Sequence, residues 1–359
     1  MRERVILNGK LPSIRTVAAV AGVSTATVSN VLNARSSVAP DLAARVRAAV
    51  AEVGYIADLG AARLRSRRSN IAGLLVPDLA NSFFGALAAN LEHLARRDGY
   101  DLLIVSSGDD LQQEAARLRA LLTWRPAGII VVPCEGSLAA RELAAATGVR
   151  IVAADRISAD SPLDSVGVDN RAAAAEVARH LLATGRRHIL AVAANGLISN
   201  VNERIAAAEA VAQSAGARLE VLHAGFTLAE NRAAIARRLA AGPCPDALFT
   251  LNNVATLGAL GAIGEAGLDV PDDIALVGFD DAEWMEVAAP PITAVQQPVD
   301  LIGRAAWAQL MARLAGDAGP PVETRLQCTL KIRASTAPRR ALTRSNGNRE
   351  RHRETIWPS

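Results

Sequence analysis

Apolar and polar positions over the first 55 residues are spaced as in three short helices. Ser13 can cap a helix running from Ile14 to about Val20, and Ser24 can cap a second helix over residues 25–32. A serine hydroxyl suits both positions because it accepts an unpaired amide proton of the first helical turn. A third helix is predicted over residues 40–54, opened by a proline and ended by a glycine.

These helices also have predicted buried faces. The second would bury Val28, Val31 and Leu32. The third has an apolar face made of Leu42, Val46, Ala49, Val50 and Val53. Two short helices joined at a glycine, followed by a third, have the form of a helix-turn-helix module.

From residue 71 the pattern changes to short apolar runs that alternate with amphipathic helical stretches. This alternation predicts parallel sheets covered by helices on both faces. Two successive groups of four runs predict two such sheets. The eight runs are 71–76, 101–105, 128–132, 150–154, 188–192, 219–222, 247–251 and 274–277.

Composition narrows the class of protein. The chain has 359 residues, of which 50% are hydrophobic, and this is enough for two or three folded domains. No apolar run approaches the roughly 18 residues of a membrane helix, and the run at 5–7 is too short for a signal peptide. Three widely spaced cysteines fit neither a disulfide framework nor a zinc site. We therefore expect a soluble, cytoplasmic protein.

The net charge of +3 conceals a segregation along the chain. Residues 1–70 hold 11 Lys and Arg against 4 Asp and Glu, and residues 337–359 hold 6 against 2. Residues 71–336 consequently carry a net charge of −8. The pattern indicates a basic module for a polyanion joined to an acidic body, although a short basic segment can also be merely solvated.

The second helix of the basic module presents short polar side chains opposite its buried valines. Thr25, Ala26 and Asn30 lie on that outer face and are the candidates for contacts to base edges. Asparagine can bond adenine in a bidentate way, and threonine and alanine offer methyl contacts to thymine. Since many three-helix modules bind protein instead, the pattern alone leaves both partners open.

Several short motifs stand out in residues 13–64: 21–24 (AGVS), 27–29 (TVS), 31–33 (VLN), Val38 and 54–55 (GY). In these motifs the segment resembles the headpiece of the lactose-repressor (LacI/GalR) family of bacterial transcription regulators. The resemblance implies that a hinge helix follows the headpiece and that a dimer inserts Leu64, beside Ala61, into the minor groove. The resemblance also implies DNA contacts beyond those of Thr25, Ala26 and Asn30. These further contacts are Ser13, Ser24, Thr27, Ser29, Asn33 and Arg45.

The headpiece departs from the family pattern at several places. Ala57 and Asp58 replace the usual Pro-Asn of the hinge, and residues 42–43 (LA) replace Thr-Arg. Asp58 can still cap the hinge helix. Four arginines lie around Leu64: Arg63, Arg65, Arg67 and Arg68. They either add positive charge at the DNA contact or form a solvated linker.

The resemblance continues to Thr336 and implies a type I periplasmic-binding-protein-like body, two α/β lobes with a ligand cleft between them. The matching segments are 77–78 (PD), 81–84 (NSFF), 99–100 (GY), 155–156 (DR), 168–170 (VDN), 270–271 (VP), 278–281 (GFDD), 290–293 (PPIT) and 333–336 (RAST). Asn253 stands where the family usually has an aspartate.

Strand ends indicate where the ligand would bind, because ligands of parallel sheets sit outside the carboxyl ends of the strands. Four polar residues follow predicted strands in this way: Asp78, Asp155, Asn252 and Asp280. The resemblance adds Phe83, Phe84 and Arg204 to the effector site. Arg204 is otherwise an ordinary helix-surface arginine, and one of the two phenylalanines is expected in the core.

No catalytic or metal-binding pattern stands out. Glycines at 258, 261, 264 and 267 lie in a helical stretch without nucleotide-loop spacing, which favours close helix packing instead. P-loop, nucleophile-elbow, HExxH and CxxC motifs are absent from the sequence, and its histidines lack metal spacing. We expect no enzyme activity, catalytic residue, metal or cofactor.

The sequence thus predicts an all-α helix-turn-helix headpiece and an α/β two-lobed body. The predicted domains are the headpiece at 1–56, a hinge-helix linker at 57–69, an effector-binding and dimerisation body at 70–336, and a basic disordered tail at 337–359. The predicted function is a transcriptional regulator, a repressor, that binds a pseudo-palindromic DNA operator as a homodimer. Its affinity would be switched by a small polar effector such as a sugar, without membrane contact. The alternative is a sugar-binding protein or sugar-handling enzyme of the same two-lobed fold.

Overall fold

A computed structural model of the chain describes residues 12–32, 38–55, 69–134, 138–157, 161–194 and 198–338. The chain divides into two compact units, residues 1–69 and 70–359. The predictions for Asn33, Ala61 and Leu64, for residues 57–68 of the hinge, and for the chain beyond Pro338 lie outside the described residues.

The first unit contains the three predicted helices, α1 (Ile14–Ala21), α2 (Thr25–Leu32) and α3 (Pro40–Val53). The Ser13 hydroxyl accepts the amide proton of Thr16, and the Thr16 hydroxyl reciprocally accepts that of Ser13. Such a capping box fixes where the first helix begins. Gly22, which ends α1, has φ 63°, a left-handed conformation that glycine adopts at low cost.

One small core holds the three helices together. Val17, Val28 and Val46 are fully buried at its centre, one from each helix. The prediction that Leu32 joins the buried face of α2 is wrong, since 37% of this residue is exposed. It stands at the last position of α2, beyond the turn that packs on α1 and α3, so the neighbouring Val31 takes the inward position.

The second unit contains two six-stranded sheets. The first has the strand order β11-β5-β4-β3-β1-β2, and all its strands run parallel. Its strands are β1 (Ile71–Val76), β2 (Asp101–Ser106), β3 (Gly128–Val131), β4 (Arg150–Ala154), β5 (Asp164–Val168) and β11 (Glu323–Leu326). Strand β1 is buried along its whole length, as predicted for a strand covered on both faces.

The second sheet repeats this arrangement with the order β12-β10-β9-β8-β6-β7. Only the edge strand β12 runs antiparallel to its neighbour among the described pairs. The strands are β6 (His188–Ala193), β7 (Arg218–His223), β8 (Ala247–Thr250), β9 (Ala275–Phe279), β10 (Thr293–Gln296) and β12 (Thr329–Lys331).

Helices cover both sheets, so each sheet with its helices forms a lobe with its own core. Helix α12 (Val299–Leu314) follows β10 of the second sheet in sequence but packs on the first sheet, where Trp307 and Leu310 are buried. The helices of the body are α4 (Ser82–Arg97), α5 (Leu111–Thr123), α6 (Leu138–Thr147), α7 (Asn170–Ala183), α8 (Ser199–Ser214), α9 (Leu228–Ala240), α10 (Asn253–Glu265), α11 (Glu283–Val287) and α12 (Val299–Leu314).

Within residues 70–338, as far as the structure describes them, three connections run between the lobes. The crossings follow β5, β10 and β11, and they contain Asn170, Gln297 and Cys328 respectively. Cys328 packs against the cores of both lobes. Side chains at these crossings therefore lie where the two lobes meet.

The two-sheet architecture confirms the predicted fold class, but four strands were missing from the prediction. They are β5, β10, β11 and β12, which are three to five residues long and contain polar residues such as Asp164 and Thr329. Strands this short and polar do not stand out as apolar runs. Among the described residues no helix is long and apolar enough to cross a membrane.

Candidate DNA-binding and effector sites

Helix α2 presents the predicted base-reading residues on its outer side. Thr25 and Ala26 are exposed and Asn30 is half-buried, while Val28 on the opposite side is fully buried. Ser24 caps the helix, because its hydroxyl accepts the amide proton of Thr27 at 3.1 Å. The rigid cap and the buried valine together fix which side chains α2 turns outward.

Three other predicted DNA contacts also have structural roles within this unit. Ser13 and Thr27 take part in the caps of α1 and α2. Arg45 on α3 donates a hydrogen bond from Nη2 to the carbonyl oxygen of Ala21, at 2.7 Å. Arg45 thereby ties α3 to the end of α1, next to the turn of the helix-turn-helix. Ser29 is half-buried. DNA contacts by these residues remain predictions.

In the body, two predicted acidic residues meet at the carboxyl ends of strands from different lobes. Asp155 follows β4 of the first sheet, and Asp280 follows β9 of the second. Both have left-handed backbone conformations, with φ of 63° and 65°. A non-glycine residue in this region carries local strain, which concentrates at functional sites. The two aspartates are close enough to influence each other electrostatically.

Arg204, on α8, occupies the centre of this cluster and is 3% exposed. Its Nε donates to Oδ1 of Asn170 at 2.8 Å, and its Nη1 donates to the carbonyl oxygen of Leu251 at 2.7 Å. The guanidinium carbon lies 3.5 Å from the ring centroid of Phe279. The side chain is therefore not the ordinary helix-surface arginine that the sequence left open.

Burial in the cluster raises the pKa values of both acids. Burial raises the pKa of Asp155 to about 6, with a contribution from Asp280, although Arg204 and Arg156 oppose the shift. Desolvation also raises the pKa of Asp280, which Arg204 again opposes. Desolvation lowers the pKa of Arg204 while both carboxylates act to raise it. Such mutual perturbation in a cleft is typical of a binding site.

Three amide side chains complete the cluster. Asn200 and Gln297 were not predicted from the sequence, and Asn253 was noted there only as a departure from the family pattern. Asn200 Nδ2 donates to Asp155 Oδ2 at 3.3 Å across the two lobes, and Gln297 Nε2 donates to Asp280 Oδ1 at 2.6 Å. Asn253 Nδ2 reaches Asn81 Oδ1 at 3.0 Å and the hydroxyl oxygen of Ser82 at 2.8 Å. Gln297 follows strand β10, so the strand-end criterion would have found it, but that strand was not predicted.

Arg156, next to Asp155, is paired within the first lobe. Its guanidinium forms a buried two-point ion pair with Asp109, in which Nη2 and Oδ2 are 2.9 Å apart. The guanidinium carbon also lies 5.9 Å from the ring centroid of Phe84. Phe83 and Phe84 are both 6% exposed and belong to the core of the lobe, where one was expected.

Two predicted effector residues are engaged locally instead. Asp78 is exposed, and its carboxylate accepts the amide proton of Ala80 at 2.8 Å. Asn252 caps α10, because its Oδ1 accepts the amide proton of Ala255 at 2.7 Å. The adjacent Asn253 contacts the other lobe in its place. Strand ends alone do not distinguish a capping residue from one that faces the cleft.

A helix-turn-helix unit followed by a two-lobed α/β body with a buried polar cleft defines a class of proteins, the DNA-binding transcriptional regulators with a periplasmic-binding-protein-like body. Residues 13–58 match the family described as bacterial regulatory proteins, lacI family. Residues 178–336 match the periplasmic binding protein-like domain.

Relatives that match over nearly the whole chain support the same assignment. The HTH-type transcriptional regulator PtxS of Pseudomonas putida is 34% identical over 340 residues, covering 94% of this chain and 97% of that protein. The HTH-type transcriptional regulator DegA of Bacillus subtilis is 31% identical over 297 residues, covering 81% and 88%. The chain belongs to the LacI family of bacterial transcriptional regulators, and these relatives confirm that it is a regulator and not an enzyme.

Solved structures show the same fold. A lac repressor dimer bound to operator and the anti-inducer ONPF superposes with a TM-score of 0.80 at 26% identity, covering 91% of this chain and 100% of that chain. A complex of the transcriptional regulator CelR with cellobiose gives a TM-score of 0.67 at 27% identity, covering 90% and 99%.

Proposed function

We propose that this regulator is a repressor that binds a pseudo-palindromic operator as a homodimer and is controlled by a small polar effector, a sugar, in the cleft between its lobes. The observation that carries the proposal is the buried cluster of Asp155, Arg204 and Asp280, which is assembled from both lobes. A ligand that bonds to all three side chains would favour one relation of the lobes over another.

The coupling to DNA follows from linkage. An effector that binds one state of the body more tightly shifts the population toward that state, and DNA affinity changes by the same coupling free energy. The resemblance to the family implies that the hinge segment containing Leu64 transmits this change in the body to the operator contact. Support comes from two relatives of similar fold, because one is a repressor dimer bound to operator and another is a complex with cellobiose.

Replacement of Arg204 by methionine tests the effector side of the proposal. Methionine places an unbranched apolar side chain in the buried space beside Phe279 but removes the guanidinium, so we expect loss of the effector response with unchanged DNA affinity. Fluorescence anisotropy of labelled operator DNA, titrated with and without effector, measures both quantities. The matched control is Glu209→Gln, an exposed position on the same helix. A normal effector response in Arg204→Met would contradict the proposed cleft.

The alternative function, a sugar-binding protein that does not act on DNA, uses the same cleft. The helix-turn-helix unit with its outward polar face on α2 favours the regulator. In the alternative, Arg204→Met still weakens sugar binding and Glu209→Gln does not, but the intact chain does not bind double-stranded DNA.

A further inference from the structure

The cleft holds an unusual concentration of polar atoms without partners. Among the residues that the structure describes, five atoms of this cluster are buried and make no hydrogen bond. The residues to which they belong are all more than nine-tenths buried. The atoms are Asp155 Oδ1, Asn200 Oδ1, Asn253 Oδ1, Gln297 Oε1 and Arg204 Nη2. Burying a polar group without a hydrogen-bond partner costs free energy, so a ligand that pairs with these atoms gains affinity.

Four of the five atoms are acceptors, and the contacts of the amide groups determine this. A carboxylate oxygen can only accept, so the amide nitrogens of Asn200 and Gln297 must face Asp155 and Asp280. Their oxygens are consequently the atoms left free.

The orientation of Asn253 follows in the same way. Its partner, Asn81 Oδ1, is an oxygen because it also accepts the amide proton of Phe83 at 3.0 Å. The group of Asn253 that faces Asn81 must therefore be its NH₂, which leaves Oδ1 unpaired. The cleft offers four free acceptors against one free donor.

The charges of the cluster, like its free acceptors, disfavour a negatively charged ligand. Arg156 is already neutralised by its two-point pair with Asp109. Arg204 stands against two carboxylates, Asp155 and Asp280, and it opposes their raised pKa values more strongly than Arg156 does. When both acids are ionised, these three groups carry one excess negative charge. Burial makes that charge costly and raises the pKa of Asp155 to about 6.

We infer that the cleft selects an uncharged, donor-rich ligand, a neutral polyhydroxy compound, and discriminates against the corresponding sugar acid. Hydroxyl groups can donate to the four free acceptors, and one hydroxyl oxygen can accept from Arg204 Nη2. A ligand carboxylate offers only acceptors and adds negative charge beside Asp155 and Asp280. This inference rests on the proposed function, since it assigns ligand chemistry to the same cleft.

Matched pairs of compounds test the inference on the intact chain. The neutral probes are D-glucose, D-galactose, D-mannose, D-xylose, D-ribose and D-glucitol, and each is paired with its own uronic or aldonic acid. Isothermal titration at pH 7.5 should detect a neutral compound that binds at least tenfold more tightly than its acid. The inference is overturned if an acid binds as tightly as its neutral counterpart, or if no neutral compound binds.

A charge variant separates the electrostatic cause from simple shape. Asp155→Asn removes one carboxylate, so discrimination between the best neutral compound and its acid should fall at least threefold. Glu209→Gln removes an exposed carboxylate on α8 and should preserve the discrimination. Unchanged discrimination in Asp155→Asn would overturn the charge argument.

DNA binding distinguishes the failure of this inference from that of the proposed function. If a sugar acid binds tightly and changes the affinity for operator DNA, the regulator function stands and the inference falls. If a neutral sugar binds tightly but leaves DNA affinity unchanged, the inference stands and effector control falls.

Discussion

Asp155, a proposed effector contact, is a buried carboxyl whose ionised form costs stability. One of its carboxylate oxygens accepts from Asn200, and the other makes no hydrogen bond among the described residues. The groups that face it are Arg204, Arg156, Asp280 and, more remotely, Cys328. Desolvation outweighs the two arginines, so its pKa rises from 3.8 to about 6.

Replacement of Asp155 by asparagine should therefore stabilise the protein at neutral pH. A carboxyl with a raised pKa destabilises the fold when ionised, which is the case above about pH 6, and not below about pH 4, where both states are protonated. We expect the melting temperature to rise by roughly 2–6 °C at pH 7.5. The gain should disappear as the pH falls from 6 to 4.

Thermal unfolding of the intact chain across pH 4–8 measures this effect. Asp272→Asn, at an exposed aspartate, is the matched control and should leave the melting temperature nearly unchanged. A gain that persists undiminished at pH 4, or no gain at pH 7.5, would refute the proposed cost of the buried charge.

Sequence reasoning at this scale succeeded where a residue's role is local. Ser13 and Ser24 were predictable caps because a cap involves residues two or three positions away. Asp155 and Asp280 were found because they end apolar strands. Asn200 was not, because only the meeting of two lobes brings its amide to Asp155, and no local pattern records that approach.

At the scale of elements, the glycines of α10 allow it to pack closely on α9. A Cβ at Gly258 would lie 2.8 Å from Asn231 Cβ and 3.1 Å from the backbone nitrogen of Arg232. A Cβ at Gly264 would meet no atom within 4 Å. The predicted close helix packing is thus confirmed at Gly258 and does not occur at Gly264.

Alanine at these two positions should have opposite effects. Gly258→Ala forces α9 and α10 apart, and overpacking of this kind destabilises by about 1–3 kcal/mol. Gly264→Ala adds helix propensity without a contact and should stabilise by up to about 1 kcal/mol. Urea unfolding of both variants beside the parent measures the difference. If Gly258→Ala is as stable as Gly264→Ala, close packing is not the reason for glycine at 258.

Elements were predictable in proportion to their length and apolar character. Of the eight strands found in the sequence, six lie inside the sheets, and the other two, β2 and β7, are edge strands. The missed strands β11 and β12 lie at the opposite edges of the sheets, and the chain between them joins the lobes. Both strands are short and contain polar as well as apolar residues. Because Gln297 follows the missed strand β10, the omission of that strand concealed a member of the cleft.

At the scale of the whole molecule, the distribution of charge separates the two tasks. The net charge of +7 over residues 1–70 lies in the part that contains the helix-turn-helix, and the −8 over residues 71–336 lies in the body. Polyanionic DNA attracts the first and repels the second. A regulator whose body binds a small ligand gains from this separation, since nonspecific DNA contacts then stay with the headpiece.

Retention on double-stranded DNA tests this division of charge. The intact chain should bind a DNA–cellulose column at 50 mM salt and elute at a higher salt concentration, because basic residues release counterions from the phosphates on binding. A chain that begins at Asn70, the start of the second compact unit, should pass through unretained. A chain that ends at Pro338 lacks the basic tail and should be retained nearly as well as the intact protein. If the chain from Asn70 is retained like the intact protein, the tail or the body binds DNA and the headpiece assignment fails. If removal of the tail alone abolishes retention, the charge of +4 beyond Pro338 carries the contact instead.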